Sequence, residues 1–379
     1  MSTFAPMFAQ QSLQDLLFLM LYGGAAMLAL IAGLYLWLRR SNAIAPAVTP
    51  PSALRKWTAA FLVSAALSHV WWYVFGVHWL TDDRLVRNVI AVLLDHVTLV
   101  PLAMAMLLCM LQDRQRRLWP WFLAQVPVVV IAVVGIDRHD EGVFDVMSYW
   151  QTALMVGFML YYVRALLQYN RWLCENFADL EHKEVWQSLM FLVVIFIVYE
   201  VYSTNPGDMF REYLAQVNTI IIIAFLLWRV ETLQRLDITA DEMVEVGDSV
   251  APEQEEQASP AQLTIPTTTI KEQLENKCEA RKLFLQHDLT LQQLAAAIGT
   301  NRTYLSVYFA QQGITYNAYI NRLRIAHFMR IYRESMSTVN PQTATQLAKK
   351  SGFYSYSTFS SAFKSINNLS FVAWAKTLS

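Results

Sequence analysis

Hydrophobic residues dominate the first two thirds of the chain, in long runs that charged residues rarely interrupt. Seven of these runs approach the roughly 20 residues that a helix needs to cross about 30 Å of hydrocarbon. They cover residues 16–38, 57–80, 89–111, 118–136, 143–167, 185–202 and 213–228. The pattern predicts an all-α chain in which residues 1–236 form a seven-helix transmembrane bundle surrounded by membrane lipid.

Basic residues near the ends of these runs indicate how the bundle is oriented. Lysine and arginine are retained on the cytoplasmic side of a membrane. One set of loops carries twelve of them and the other set carries four. No basic residue precedes the first run, and Arg39 and Arg40 follow it, as in a retained helix rather than a cleaved signal peptide. We therefore expect a multi-pass protein of the bacterial cytoplasmic (inner) membrane, with its N-terminus outside and everything after residue 228 in the cytoplasm.

The character of the chain changes after the last run. Residues 237–256 contain eight aspartates and glutamates and no lysine or arginine, and three prolines lie between residues 252 and 266. Such a segment buries too little apolar surface to offset its chain entropy. Residues 237–270 are therefore predicted to be an acidic cytoplasmic linker.

The remaining residues, 271–379, form a basic module that the net charge of −1 for the whole chain conceals. From residue 277 onward, twelve lysines and arginines stand against three acidic residues. The sequence 291–298 has helical apolar spacing, with Thr290 as a predicted N-cap and Gly299 as a predicted stop. A second helix, 302–311, begins almost at once. This spacing predicts a helix-turn-helix.

The same pattern recurs after a long predicted helix over residues 316–334. Its apolar side is expected to include Tyr319, Ile320 and Leu323, with its arginines elsewhere. Thr343 is then predicted to cap a short helix over 344–350, and residues 355–364 form the partner helix after the turn at Gly352. Phe353, Phe359, Ala362 and Phe363 are expected to face the core.

Over residues 289–374 the module resembles the DNA-binding domain of the AraC/XylS transcription regulators, in which one long helix bridges two helix-turn-helix units. The residues that carry the resemblance are Leu294, Ala295, Tyr304, Leu305, Phe309, Gly313, Tyr319, Arg322, Leu323, Ala326, Leu347, Ala348, Gly352, Phe353, Ser357, Phe359, Phe363 and Lys364. The resemblance implies an all-α, AraC-type DNA-binding domain over residues 271–379. It also implies that the second helix of each pair enters a major groove of promoter DNA.

The resemblance further implies which side chains read DNA. They are Arg302, Thr303, Ser306 and Val307 of the first recognition helix and Tyr356, Ser357, Ser360, Ser361 and Lys364 of the second. Val307 and Ser361 stand where the family often has arginine. Bidentate contacts to guanine are therefore expected to be scarce, with hydroxyl contacts, methyl contacts and DNA shape carrying specificity.

Polar residues inside the predicted spans are candidates for sensing. Burying such groups in hydrocarbon is costly, so they usually face the bundle interior and often mark function. The candidates are His69, Asp95, His96, Glu200 and Asn218, all expected in the outer half of the bundle. One interpretation is a pocket that detects a small ligand or a proton, rimmed by tryptophans. The other is a set of hydrogen bonds that only hold helices together.

The sequence contains no nucleophile motif, phosphate loop, kinase or cyclase signature, so neither an enzyme nor a bound cofactor is expected. Cys109, Cys174 and Cys278 lack the spacing of a zinc site or a disulfide framework and are expected to be free thiols. The favoured function is a one-component transcription regulator anchored in the membrane, with pairing of two copies on adjacent DNA sites as a further hypothesis. The alternative is a membrane transporter or enzyme whose basic helical tail docks a protein partner.

Overall fold

The computed structural model describes residues 13–39, 41–46, 48–76, 80–191, 193–194, 209–236, 267–337 and 341–378. Throughout these residues the secondary structure is helical, and the only strand-like pairing is an isolated bridge between Phe177 and Thr290. The chain divides into two compact units. The first contains Met1–Leu167 and Val185–Val246, and the second contains Gln168–Glu184 and Gly247–Ser379.

Helices α1 to α7 supply the long apolar elements. They are α1 (Leu13–Leu38), α2 (Ser52–Gly76), α3 (Arg84–Cys109), α4 (Trp119–Leu123), α5 (Val126–Arg138), α6 (Val143–Asn176) and α7 (Met209–Thr232). By length and composition, six candidate membrane spans occur among the described residues, with α4 and α5 together forming one of them. The predicted span 185–202 extends beyond the described residues, so the count of seven remains a prediction.

Small residues bring α1 and α2 close together. Ala25, Ala29 and Gly33 are buried on α1, and Ala59 is buried on α2. A Cβ atom added to Gly33 would lie 2.9 Å from a methyl group of Val63. Without a hydrophobic driving force between helices in lipid, such close backbone approach is a main source of helix association.

The predicted single span 118–136 is interrupted. Helix α4 ends at Leu123 and α5 begins at Val126. Pro120 and Pro127 each stand in the first turn of their helix, where the missing N–H of proline is tolerated. Pro127 cannot donate to the carbonyl four residues earlier, so the helical hydrogen-bond ladder is interrupted at this point.

The second unit has seven further helices among its described residues. They are α8 (Thr267–Gln273), α9 (Leu291–Ile298), α10 (Arg302–Gln311), α11 (Tyr316–Met336), α12 (Ala344–Lys350), α13 (Tyr356–Asn367) and α14 (Phe371–Ala375). Helix α8 continues as a π-helical turn over Leu274–Glu279, and a 3₁₀ turn follows at Leu283–Leu285. The predicted linker 237–270 lies largely outside the described residues, which resume at residue 267.

Two separate apolar cores lie at the two ends of α11. Leu294, Leu305, Phe309 and Ile320 are buried in the first core. The second core contains Phe328 together with the predicted Phe353, Phe359 and Phe363, each of them 0% exposed. Ala362, also predicted to face the core, is half-buried against it. The long helix thus supplies one wall of both cores.

Candidate functional site

The first helix pair, α9 and α10, is held at both ends by local hydrogen bonds. Thr290 and Gln293 form a reciprocal capping box, and Gly299 ends α9 with a left-handed φ of 84°. The side chain of Asn301 then accepts a hydrogen bond from the backbone N–H of Tyr304, 2.8 Å away, and so caps α10. These findings confirm the predicted Thr290 cap and Gly299 stop and fix α10 immediately after α9.

The second pair, α12 and α13, repeats this design. Thr343 and Gln346 form the second capping box, and Ser355 caps α13. Gly352 in the turn has a φ of 90°, and a Cβ added there would lie 2.9 Å from both the Cα of Leu285 and the carbonyl oxygen of Phe284. Only glycine fits this turn without strain.

The predicted DNA-reading residues of α10 lie on its accessible side. Thr303 is exposed, Ser306 and Val307 are half-buried, and Leu305 lies on the opposite, buried side. Arg302 is also half-buried, because its guanidinium is engaged. Its Nε and Nη2 donate hydrogen bonds to Oδ1 of Asn176 over 3.1 and 2.9 Å.

On α13, Ser357, Ser361 and Lys364 are exposed and Ser360 is half-buried. Tyr356, predicted to face outward, is half-buried, since its ring packs against Phe359 at a centroid distance of 5.5 Å. With its ring packed in this way, Tyr356 offers only its phenolic hydroxyl for a polar contact.

Arg324 is the main departure from the predicted face of the long helix. We expected it away from the apolar side, yet it is 0% exposed. Its Nε and Nη2 donate hydrogen bonds to the carbonyl oxygens of Phe284 and Gln286, each over 2.8 Å, and the guanidinium lies 5.7 Å from the ring centre of Phe353. Burial lowers the pKa of the guanidinium, and the negative charge of Asp179 raises it. Arg324 thus joins the first core to the second.

Basic charge on the module remains accessible. Of the twelve lysines and arginines that follow residue 276, nine are exposed. They are Arg281, Lys282, Arg322, Arg330, Arg333, Lys349, Lys350, Lys364 and Lys376. Accessible positive charge of this kind is what a polyanion requires.

The intramembrane candidates separate into two hydrogen-bonded groups. Asp95 accepts from the hydroxyl of Ser68 over 2.6 Å and from the indole N–H of Trp72 over 2.7 Å. His69 contacts the amide oxygen of Gln216 through Nε2 over 3.0 Å. The two groups therefore tie α2 to α3 and α2 to α7.

The other candidates are less connected. His96 is buried, and its Nδ1 lies 2.6 Å from the carbonyl oxygen of Val92 on the same helix. Asn218 is half-buried on α7. Glu200 lies outside the described residues, as does Trp79 of the expected tryptophan rim. Sequence reasoning missed the partners Ser68 and Gln216, because a serine or glutamine within a span has no spacing that identifies its neighbour.

No group of three or more histidine, cysteine, aspartate or glutamate residues that could hold a metal ion occurs within the described residues. All three cysteines are free, as expected. Cys278 is fully buried, and burial raises the pKa of its thiol to about 12.

Comparison of the chain with protein-family models, with curated proteins and with solved structures finds no match.

Proposed function

We propose that the chain is a membrane-anchored, one-component transcription regulator whose second unit binds double-stranded promoter DNA in the manner of AraC/XylS regulators. The observation that carries the proposal is the repetition of one design. Two helix pairs, each opened by a capping box and followed by a capped second helix, flank one long helix and have separate cores. A doubled unit of this kind presents two second helices to two successive major grooves.

The exposed chemistry of these two helices supports the proposal. Thr303, Ser357 and Ser361 offer hydroxyl groups that can donate to or accept from base edges, and Lys364 offers a positive charge to a phosphate. None of these side chains is needed for either core. Their exposure is explained if DNA is their partner.

The membrane part is proposed to supply the signal. Asp95 carries an ionisable group inside a candidate span, which is costly unless it serves packing or function. The proposed stimulus is a small ligand or a proton. Its binding would change the hydrogen bonds of Ser68, Trp72 and Gln216 that connect α2 to α3 and to α7. The excess of positive charge in one set of loops supports an inner-membrane protein with its N-terminus outside and its DNA-binding domain in the cytoplasm.

The proposal is tested by measuring the affinity of the full chain, in lipid nanodiscs, for labelled duplex DNA at several salt concentrations. Affinity should fall steeply as salt rises, because bound counterions are released from phosphates. Lys364→Ala should weaken binding to all sequences and reduce the magnitude of the logarithmic salt slope by about one. Arg330→Ala is the matched control, since Glu334 already pairs with Arg330 over 3.1 Å.

Binding that is absent or independent of salt would contradict the proposal. That result would favour a transporter or an enzyme whose basic tail docks a protein partner.

A further inference from the structure

A short segment of the chain, at and after the end of α6, is built into the second unit. Residues 168–184, here called the 168–184 segment, include the last part of α6 and the loop after it. The backbone N–H of Ala178 donates to the carbonyl oxygen of Leu289 over 3.1 Å, beside the bridge between Phe177 and Thr290. Asn317 donates to the carbonyl oxygens of Phe177 and Ala178 over 3.2 and 2.8 Å.

The side chain of Ala178 completes this docking. It is 1% exposed and belongs to the first core, together with residues of α9, α10 and α11. Lys183, on the far side of the loop, reaches the carboxylate of Asp288 over 2.9 Å. Backbone pairing, core burial and an ion pair together indicate a specific docking site for the segment.

The segment holds the first recognition helix at its N-terminal end. Arg302 is the first residue of α10 and a predicted DNA contact, and Asn176 accepts hydrogen bonds from two of its nitrogens. Asn176 is 8% exposed, and its own amide nitrogen donates to the carbonyl of Trp172 over 2.8 Å. The amide is thereby oriented with its oxygen toward the guanidinium.

The segment also reaches the second recognition helix at its N-terminal end. Thr358, in the first turn of α13, donates its hydroxyl hydrogen to Oε2 of Glu181 over 2.7 Å. The ring of His182 meets that of Tyr354 edge to face at 6.0 Å. The first turn of a helix favours anions such as phosphate. Here the hydroxyl of Thr358, in that turn, already donates to a carboxylate.

We propose that the 168–184 segment is an internal competitor of DNA, which occupies the phosphate-binding ends of both recognition helices with Asn176 and Glu181. This inference rests on the proposed function. Thr303, Ser357 and Ser361 stay exposed beside the docked segment. The competition therefore acts through Arg302 and Thr358 and lowers the affinity for DNA, while these three hydroxyl groups remain accessible.

The position of the segment in the chain gives the competition a regulatory use. Asn176 is the last residue of α6, the helix that begins at Val143 and includes a candidate membrane span. A signal that displaces the end of this helix releases Arg302 and removes the carboxylate from Thr358. DNA binding and docking of the segment then exclude one another, and each weakens the other by the same factor.

The test uses the full chain in lipid nanodiscs and a fluorescent mixed-sequence duplex of about 40 base pairs, long enough for two successive half-sites. Asn176→Ala and Glu181→Gln should each tighten binding, and the double variant should bind about tenfold more tightly, within the usual range of coupling between sites. Glu175→Gln is the matched control, because it removes the same charge as Glu181→Gln from the same segment. It should bind as the unaltered chain does.

Hydrogen exchange on the unaltered chain provides a measurement that does not depend on how the variants fold. Saturation with the duplex should accelerate exchange of the Ala178 amide, which is protected by its bond to Leu289. If the unaltered chain binds DNA but this exchange is unchanged, or the double variant binds no more tightly, the competition is refuted while DNA binding stands. If neither the unaltered chain nor any variant binds DNA at any salt concentration, the proposed function is refuted and the proposed competition is refuted with it.

Discussion

Replacement of Arg324 by leucine should uncouple the two halves of the second unit. Arg324 is the one fully buried cation among the basic residues of the described module. It donates to carbonyl oxygens beside the first core and lies over Phe353 of the second. Leucine fills part of the same space but offers no donor.

The cost follows from the groups left behind. The buried carbonyl oxygen of Phe284 loses its donor, at about 1–3 kcal/mol, and the part-buried carbonyl oxygen of Gln286 loses its donor at a smaller cost. Loss of the contact with the Phe353 ring adds about 1–2 kcal/mol. The guanidinium no longer has to be desolvated, which offsets part of this loss. A net destabilisation of about 3–5 kcal/mol remains, a large fraction of the 5–15 kcal/mol typical of a folded domain.

The assay is pulse proteolysis of the full chain in nanodiscs over a urea series, following the fragments from residues 267–378. Arg324→Leu should strongly lower the urea concentration at the midpoint of unfolding. The midpoint of Arg324→Lys should lie between those of Arg324→Leu and the unaltered chain, since one ammonium group keeps the charge but cannot reproduce the two-pronged donor geometry of the guanidinium. Arg322→Leu, an exposed position two residues away, is the control. A midpoint for Arg324→Leu equal to that of Arg322→Leu would refute the reasoning.

Two further predictions concern other parts of the chain. Asp95→Asn replaces an oxygen that accepts from Ser68 or Trp72 with a donor, so it should alter promoter output in response to stimulus. Ser64→Ala, which removes a buried hydroxyl from α2, the helix of Ser68 and Trp72, should not. Equal output from both variants under every stimulus would argue against sensing at Asp95. A thiol pKa of about 12 leaves roughly one thiolate in ten thousand at pH 8, so Cys278 should resist modification by maleimide until the module unfolds. Labelling is measured by mass spectrometry, and a labelled Cys278 in the folded protein would contradict its burial.

Local signals were sufficient to predict α9 to α13 of the second unit, but not α8 or α14. The cap at Thr290, the stop at Gly299 and the bounds of α9 and α10 all follow from residues within one turn of each helix end. The phenylalanines of α13 were predictable from helical spacing for the same reason. The seven-helix count, the DNA contacts and the AraC-type identity of the module remain predictions.

The burial of Arg324 could not be predicted because it depends on residues far apart in the chain. Its partners belong to a 3₁₀ turn about forty residues earlier and to Phe353, after the second turn. Periodicity assigns an arginine to the solvent side of a helix, and only tertiary hydrogen bonds to unpaired carbonyls reverse that assignment. The docking of residues 168–184 was missed for a related reason, since a short loop after a predicted span carries no pattern that identifies its partner.

The buried arginine and the docked segment are connected through charge. Asp179 of the segment is 1% exposed, and its negative charge favours the charged form of Arg324. Oδ2 of Asp179 and Nη1 of Arg324 have no hydrogen-bond partner among the described residues, so each relies on the field of nearby charges. Release of the segment therefore removes a counter-charge from the residue that joins the two cores. Docking of the segment and the link between the two cores thus share one electrostatic contact, that between Asp179 and Arg324.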